Sequence, residues 1–159
     1  MTPTEKMLVH CNLDLGMRKC EVRRLTIKSF AKGRVSTVLI HGKGRNGGKF
    51  RTLDWHPDTE AVLQGYLTCR DGLAAKASAK GSDQKVPDRL LIFERGGKLR
   101  PYGETMISNI ISAVGKRAGK DRVSNHDLRR TCGRMMYRAG VPIEIIERVA
   151  HGTVVAVPC

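Results

Sequence analysis

Aromatic side chains are scarce: three Phe, three Tyr and one Trp supply 4% of the 159 residues, and they are scattered. A platform that stacks successive unpaired bases needs several rings close together, so the composition favours duplex over single-stranded nucleic acid. No apolar run approaches the roughly 20 residues that span a bilayer, and no charged stretch followed by an apolar one opens the chain. The reading therefore includes no membrane segment. The five cysteines, Cys11, Cys20, Cys69, Cys132 and Cys159, show no C-x-x-C spacing. An odd number without a leader implies reduced thiols and a cytoplasmic setting. Zinc-binding spacings, a P-loop and a dinucleotide fingerprint are missing too, because the glycines at 42, 44, 47 and 48 do not open a helix after a strand. Neither a metal nor a cofactor enters the reading. Acidic residues are also few, 15 against 29 Lys plus Arg, which leaves a formal charge of +14. A positive excess of that size attracts a polyanion through counterion release.

What is present suits one folded domain spanning residues 1–159. The chain is 40% hydrophobic and 28% charged, ordinary for a packed protein and too apolar for disorder throughout. Met7, Leu8 and Cys11 recur at helical spacing within residues 4–14, with Thr4 as a cap. Gly16 interrupts that pattern. A second helical turn then begins near Arg18, carries Val22 and Leu25, and runs into a strand around Ile27. Residues 35–40 and 50–55 read as two strands, so the glycine-laden segment between them is a hairpin loop bearing Lys43, Arg45 and Lys49. His56-Pro57-Asp58 starts a helix with Val62, Leu63, Tyr66 and Leu67 on one stripe, ending by Asp71. Residues 74–88 have the Lys, Ala, Ser and Gly composition of a flexible loop. A brief strand follows at residues 90–93. A helix over 102–116 then places Met106, Ile107, Ile110, Ile111 and Val114 on a core face. Ser124 and Asp127 have capping spacing for a helix that Gly140 stops, and Pro142 suits the first turn of a closing helix through Val149.

His126 and Arg129, three apart at a helix start, project from one face beside the free N–H groups of that end, a corner suited to phosphate. Arg130 and Arg134 extend the charge, and guanidinium groups match phosphate oxygens through paired donors. Read alone, a His with several Arg on a helix is the pattern of a solvated basic face. The surrounding wording gives it more weight. Asn125-His126-Asp127-Leu128-Arg129-Arg130-Thr131, then Ala139-Gly140-Val141, then a helix ending in Ala150-His151, resembles the second conserved box of tyrosine recombinases, the phage integrase family. Ala150 stands where that family has Gly. Upstream, Leu15-Gly16-Met17-Arg18-Lys19-Cys20-Glu21 resembles the first box, with Asp14-Leu15 in place of the usual Thr. His41-Gly42-Lys43-Gly44 and Lys49-Phe50-Arg51-Thr52-Leu53 resemble the family's Gly-Lys-Gly-x-Lys-x-Arg hairpin. The boxes follow the family's order across residues 13–151, and jointly they are specific.

The resemblance implies a mainly α fold with a small antiparallel β-sheet, an α+β catalytic domain of the tyrosine recombinase type. It also implies duplex DNA as partner, other recombinase protomers beside it, and an address on the nucleoid when DNA is bound. Arg18 and Arg129 would clamp the non-bridging oxygens of the scissile phosphate as charge grows on them. Lys43 would protonate the departing 5′ oxygen, His126 would serve as general acid or base, and His151 would hydrogen-bond the phosphate. Glu21 would orient its neighbours. Arg45, Lys49, Arg51, Arg130 and Arg134 would contact DNA.

The family's nucleophile is a tyrosine that forms a 3′-phosphotyrosine. It lies about nine residues after the last His, just past Cys159, and Tyr66, Tyr102 and Tyr137 do not match it. The expectation is a fragment truncated at both ends that binds DNA but does not cleave it alone. Two other readings stay open, a non-catalytic DNA-binding regulator of recombination and a basic RNA-binding protein.

Overall fold

A computed structural model describes residues 1–31, 37–42, 50–54, 57–79 and 85–151. Helix α1 (Pro3–Leu13) starts at Thr2, whose hydroxyl accepts from the Glu5 amide while the Glu5 carboxylate accepts from the Thr2 amide. The cap is therefore Thr2 instead of the expected Thr4. Proline at the first helical position, where no N–H partner is needed, moves the start forward. A short helix α2 (Lys19–Arg24) follows, with Arg18 as its N-cap. After a 3₁₀ turn at Ile27–Ser29 come strands β1 (Phe30–Ala31), β2 (Thr37–His41) and β3 (Phe50–Asp54), which form an antiparallel sheet in the order β1-β2-β3.

Helix α3 (Pro57–Ala79) runs past Asp71 into the segment expected to be loop. Alanine is the best helix former, and the added turns bury Ala77, with Leu73 and Ala74 beside it, against Ile92 and Leu99. Those last two belong to a hairpin of β4 (Ile92–Arg95) and β5 (Lys98–Pro101). Only its first strand was anticipated. Gly96 (φ 61°) and Gly97 (φ 76°) make the turn, since a two-residue hairpin loop with both central residues at positive φ favours glycine. Arg70 and Tyr66 hold the approach to this hairpin. Tyr66 Oη donates to the Leu90 carbonyl and accepts from the Ile92 amide, and Arg70 donates to the Leu90 and Pro87 carbonyls.

Helices α4 (Glu104–Arg117), α5 (Asn125–Arg138) and α6 (Ile143–His151) complete the chain. The core face of α4 is Ile107 and Ile111; Met106, expected there, is exposed. Central to the packing is α1, which lies against α3, α4 and α5. Its Met7, Leu8 and Cys11 join Met17, Val22, Leu25, Val38, Ile40, Leu63, Tyr66, Ile107 and Ile111 in one apolar core. The class is the expected one, mostly helical with small antiparallel sheets. Among the described residues no helix is long and apolar enough to cross a membrane.

Candidate functional site

The turn from α1 to α2 sets the first part of the site. Gly16 sits at φ 56°, where an L side chain is strained, and a Cβ there would meet Cys132 Sγ at 3.1 Å. This close approach of α5 lets the Gly16 carbonyl accept a hydrogen bond from Arg129 Nη1. Two residues on, the extended backbone of Arg18 (φ −77°, ψ 152°) caps α2. Its amide donates to Glu21 Oε2 at 2.8 Å and its Nη1 to Glu21 Oε1 at 3.1 Å. The same carboxylate receives both terminal nitrogens of Arg51, at 2.8 and 2.9 Å. Glu21 is 0% and Arg51 5% exposed, whereas Arg18 keeps 36% of its side chain open. A buried carboxylate thus holds one arginine inside and presents another outward.

Arg51 was expected to contact DNA, and the structure places it otherwise. It pairs in register with buried Ile40 on the inward face of the sheet, so its guanidinium is committed to Glu21. The period of two along a strand decides this: Phe50 and Thr52 face out, and Arg51 between them faces in.

Helix α5 supplies the opposite wall. Ser124 caps it: Ser124 Oγ accepts from the Asp127 amide and donates to Asp127 Oδ2 at 2.6 Å. These bonds hold the Asp127 carboxyl below its ordinary range, helped by the charges of Arg130 and His126. Asn125 is buried; its Nδ2 donates to Asn12 Oδ1 and its Oδ1 accepts from Ser108 Oγ, both at 3.2 Å, while Asn12 Nδ2 donates to the Leu8 carbonyl at 2.7 Å. That chain of amides ties the start of α5 to α1 and α4, and so sets where His126 projects. Sequence reasoning missed it, since the only signal was two asparagines in otherwise helical stretches.

Arg18, His126 and Arg129, proposed together from sequence, line one cleft of about 600 Å³ with Lys19, Arg24 and Ser108. The carboxylate on its wall is Glu104, which faces Arg23 at 3.4 Å and Lys19 at 3.9 Å. Burial, and then the neighbouring Arg18 charge, pull the Arg129 guanidinium below its usual pKa. A guanidinium stays protonated all the same, so two confined like charges face a space that an anion would stabilise. Arg24 is a further member that sequence reasoning did not single out. It reaches from α2 to the Gly42 carbonyl at 2.7 Å, at the root of the hairpin.

Other expected residues lie elsewhere. Arg130 and Arg134 line a separate groove of about 570 Å³ between α5 and α6, with Tyr137 and Ile146. Lys43, Arg45 and Lys49 fall outside the described residues. His151 closes α6, and its side chain is likewise outside the description. Among the described residues no tyrosine lines the cleft. Tyr66 is buried, with its pKa pushed up to about 12 by desolvation; Tyr102 packs against Phe93; Tyr137 is exposed in the other groove.

Comparison with known proteins agrees with the resemblance. A model of the phage integrase family matches residues 3–152. No curated protein sequence matches. Among solved structures, the XerH site-specific recombinase bound to its difH substrate superimposes with a TM-score of 0.70 at 21% identity, over 96% of this chain and 40% of that one. The XerA recombinase gives 0.68 at 21% identity over 94% and 54%. The integrase from mycobacterium phage Brujita gives 0.68 at 18% identity over 98% and 45%. The chain thus spans about half the length of these structures, and the fold is that of tyrosine recombinase catalytic domains.

Proposed function

The chain belongs to the phage integrase family, and from that premise we propose that its cleft binds the scissile phosphate of duplex DNA. The observation that carries this reading is the meeting of Arg18, Arg129 and His126 in one cleft, with the two guanidinium groups braced from behind by Glu21 and the Gly16 carbonyl. Guanidinium donors fixed before the ligand arrives stabilise the charge that develops on the non-bridging oxygens without reorganising. His126, at the N-terminus of α5, would exchange a proton with the attacking hydroxyl, Lys43 would protonate the 5′ oxygen, and His151 would bond the phosphate. In the complete reaction a tyrosine oxygen forms the new bond to phosphorus as the bond to the 5′ oxygen breaks, leaving a 3′-phosphotyrosine. No tyrosine lines the cleft among the described residues, and a hydroxyl delivered by another protomer would complete the site. A solved relative, XerH, was captured with its DNA substrate before and after cleavage.

The test has two parts. Binding of the chain to labelled duplex DNA should fall steeply with salt, and Arg18→Gln should lower the slope of log K against log salt by about 0.9. A slope unchanged by this variant would sink the phosphate-clamp reading. Incubation with a nicked target duplex should give no covalent complex on a denaturing gel; covalent capture by these 159 residues alone would overturn the delivered-tyrosine reading. Binding without capture would also suit the second reading, a non-catalytic regulator that occupies recombination sites.

A further inference from the structure

Arg24 lines two concavities. Beside the cleft, it borders a groove of about 290 Å³ that runs over the outer face of the β1-β2-β3 sheet, with Lys28, Leu39, His41, Phe50 and Arg89 on its walls. The register explains its surface. Val38 and Ile40 face the core, so Leu39 and His41 face out, and antiparallel pairing sets His41 directly opposite Phe50. Their rings stack at 4.5 Å with an interplanar angle of 12°. Leu39 is 47% and Phe50 53% exposed, on a sheet face that polar residues usually cover. Around this apolar floor stand three cations. Arg24 is fixed by the Gly42 carbonyl, Arg89 donates to the Arg24 carbonyl at 2.7 Å, and Lys28 projects from the 3₁₀ turn. Among the described residues no carboxylate lines the groove.

We propose that this groove seats the continuation of the DNA strand whose phosphate occupies the cleft. A DNA strand carries anionic phosphates beside apolar deoxyribose faces, and the groove offers three cations beside an apolar floor of Leu39 and Phe50. Arg24 is shared by both concavities, so one strand passes from cleft to groove without leaving positive surface. Arg24, Lys28 and Arg89 take phosphates, as guanidinium and ammonium groups do without reading sequence. Phe50, backed by the His41 ring, packs against a sugar. The inference rests on the DNA-binding reading above and adds a second contact region to it.

The experiment measures anisotropy of a labelled duplex against KCl with the full chain and variants. Lys28→Gln should lower the salt slope by about 0.9, and Lys28→Gln with Arg89→Gln by about twice that. Phe50→Ser should weaken binding about tenfold at every salt concentration and leave the slope alone. Lys28 and Phe50 are exposed, so these two variants keep the core intact even if Arg89→Gln, which loses a backbone contact, does not fold. Wild-type slope and affinity in both Lys28→Gln and Phe50→Ser, with Arg18→Gln still weakened, would overturn the groove and leave the cleft standing. No salt-dependent duplex binding by the unaltered chain would overturn both. Poly-glutamate binding that Lys28→Gln abolishes, with DNA binding unchanged, would reassign the groove to an acidic protein segment.

Discussion

Replacing Glu21 by glutamine is the substitution with the most to lose in this fold. The carboxylate is fully buried and accepts four hydrogen bonds, from the Arg18 amide and Nη1 and from both terminal nitrogens of Arg51, between 2.8 and 3.1 Å. An amide of the same shape offers one acceptor oxygen and turns an N–H₂ donor toward guanidinium donors. It also leaves the Arg51 charge, 5% exposed, without a counter-ion. Breaking a buried pair on one side costs about 3–5 kcal/mol, a large part of the roughly 5–15 kcal/mol that holds a domain folded. With a urea m-value of about 2 kcal/mol/M, the midpoint followed by far-UV circular dichroism should fall by roughly 1.5–2.5 M. Removing the pair together, Glu21→Leu with Arg51→Met, should cost less than Glu21→Gln alone, because no buried charge is then stranded. A loss below about 1 kcal/mol for Glu21→Gln would place this pair with surface ion pairs and refute the reasoning.

Other perturbations report on the walls of the cleft. Asn125→Leu should destabilise by about 1–3 kcal/mol, since Asn12 Oδ1 and Ser108 Oγ lose the partner that joins them; thermal melts of Asn125→Leu and of the distant Thr68→Ala would separate this from general fragility. Gly16→Ala should cost about 1–2 kcal/mol from its left-handed backbone, and by moving the carbonyl that holds Arg129 it should weaken duplex binding under conditions where the protein is still folded. For Asp127 the folded-state pKa lies below the ordinary 3.8 through its bonds to Ser124. Its contribution is therefore present above pH 3.8 and is lost as pH falls through the depressed value. Acid titration of Asp127→Asn should show a shallower loss of stability in that window than the unaltered chain, and identical acid limbs would contradict the cap. Cys11, buried with its thiol pKa pushed up to about 12, should resist alkylation in the native protein and react only on unfolding.

Periodicity made the helices legible where one face met the core, as in α4, whose isoleucines at 107 and 111 are buried. It failed at edges. α3 was cut short at Asp71 because Ala and Lys carry no strong apolar signal, yet Ala77 needs only a small gap beside Ile92 and Leu99 to be buried. The β4–β5 hairpin was half seen, although Arg95-Gly96-Gly97-Lys98 held the turn signal. For the site, Arg18, His126 and Arg129 were recoverable because the family wording fixes them. The side to which Arg51 points was not, since it depends on strand register. The asparagine chain behind His126 depends on helix packing, which a one-dimensional pattern does not hold.

Several of the bonds that hold the helices around the cleft join positions far apart in the chain. Gly16 and Arg129 lie 113 positions apart, as do Asn12 and Asn125, and Arg117 reaches back to Glu5 over 112. The corner formed by Arg18, His126 and Arg129 therefore does not exist in any partly folded chain in which α1 has yet to meet α4 and α5. On the proposed reading, a DNA phosphate entering it would recognise only the finished topology and by mass action draw the equilibrium toward that state. Bound nucleic acid would then act on this protein as a clasp between its first helices and α4 and α5.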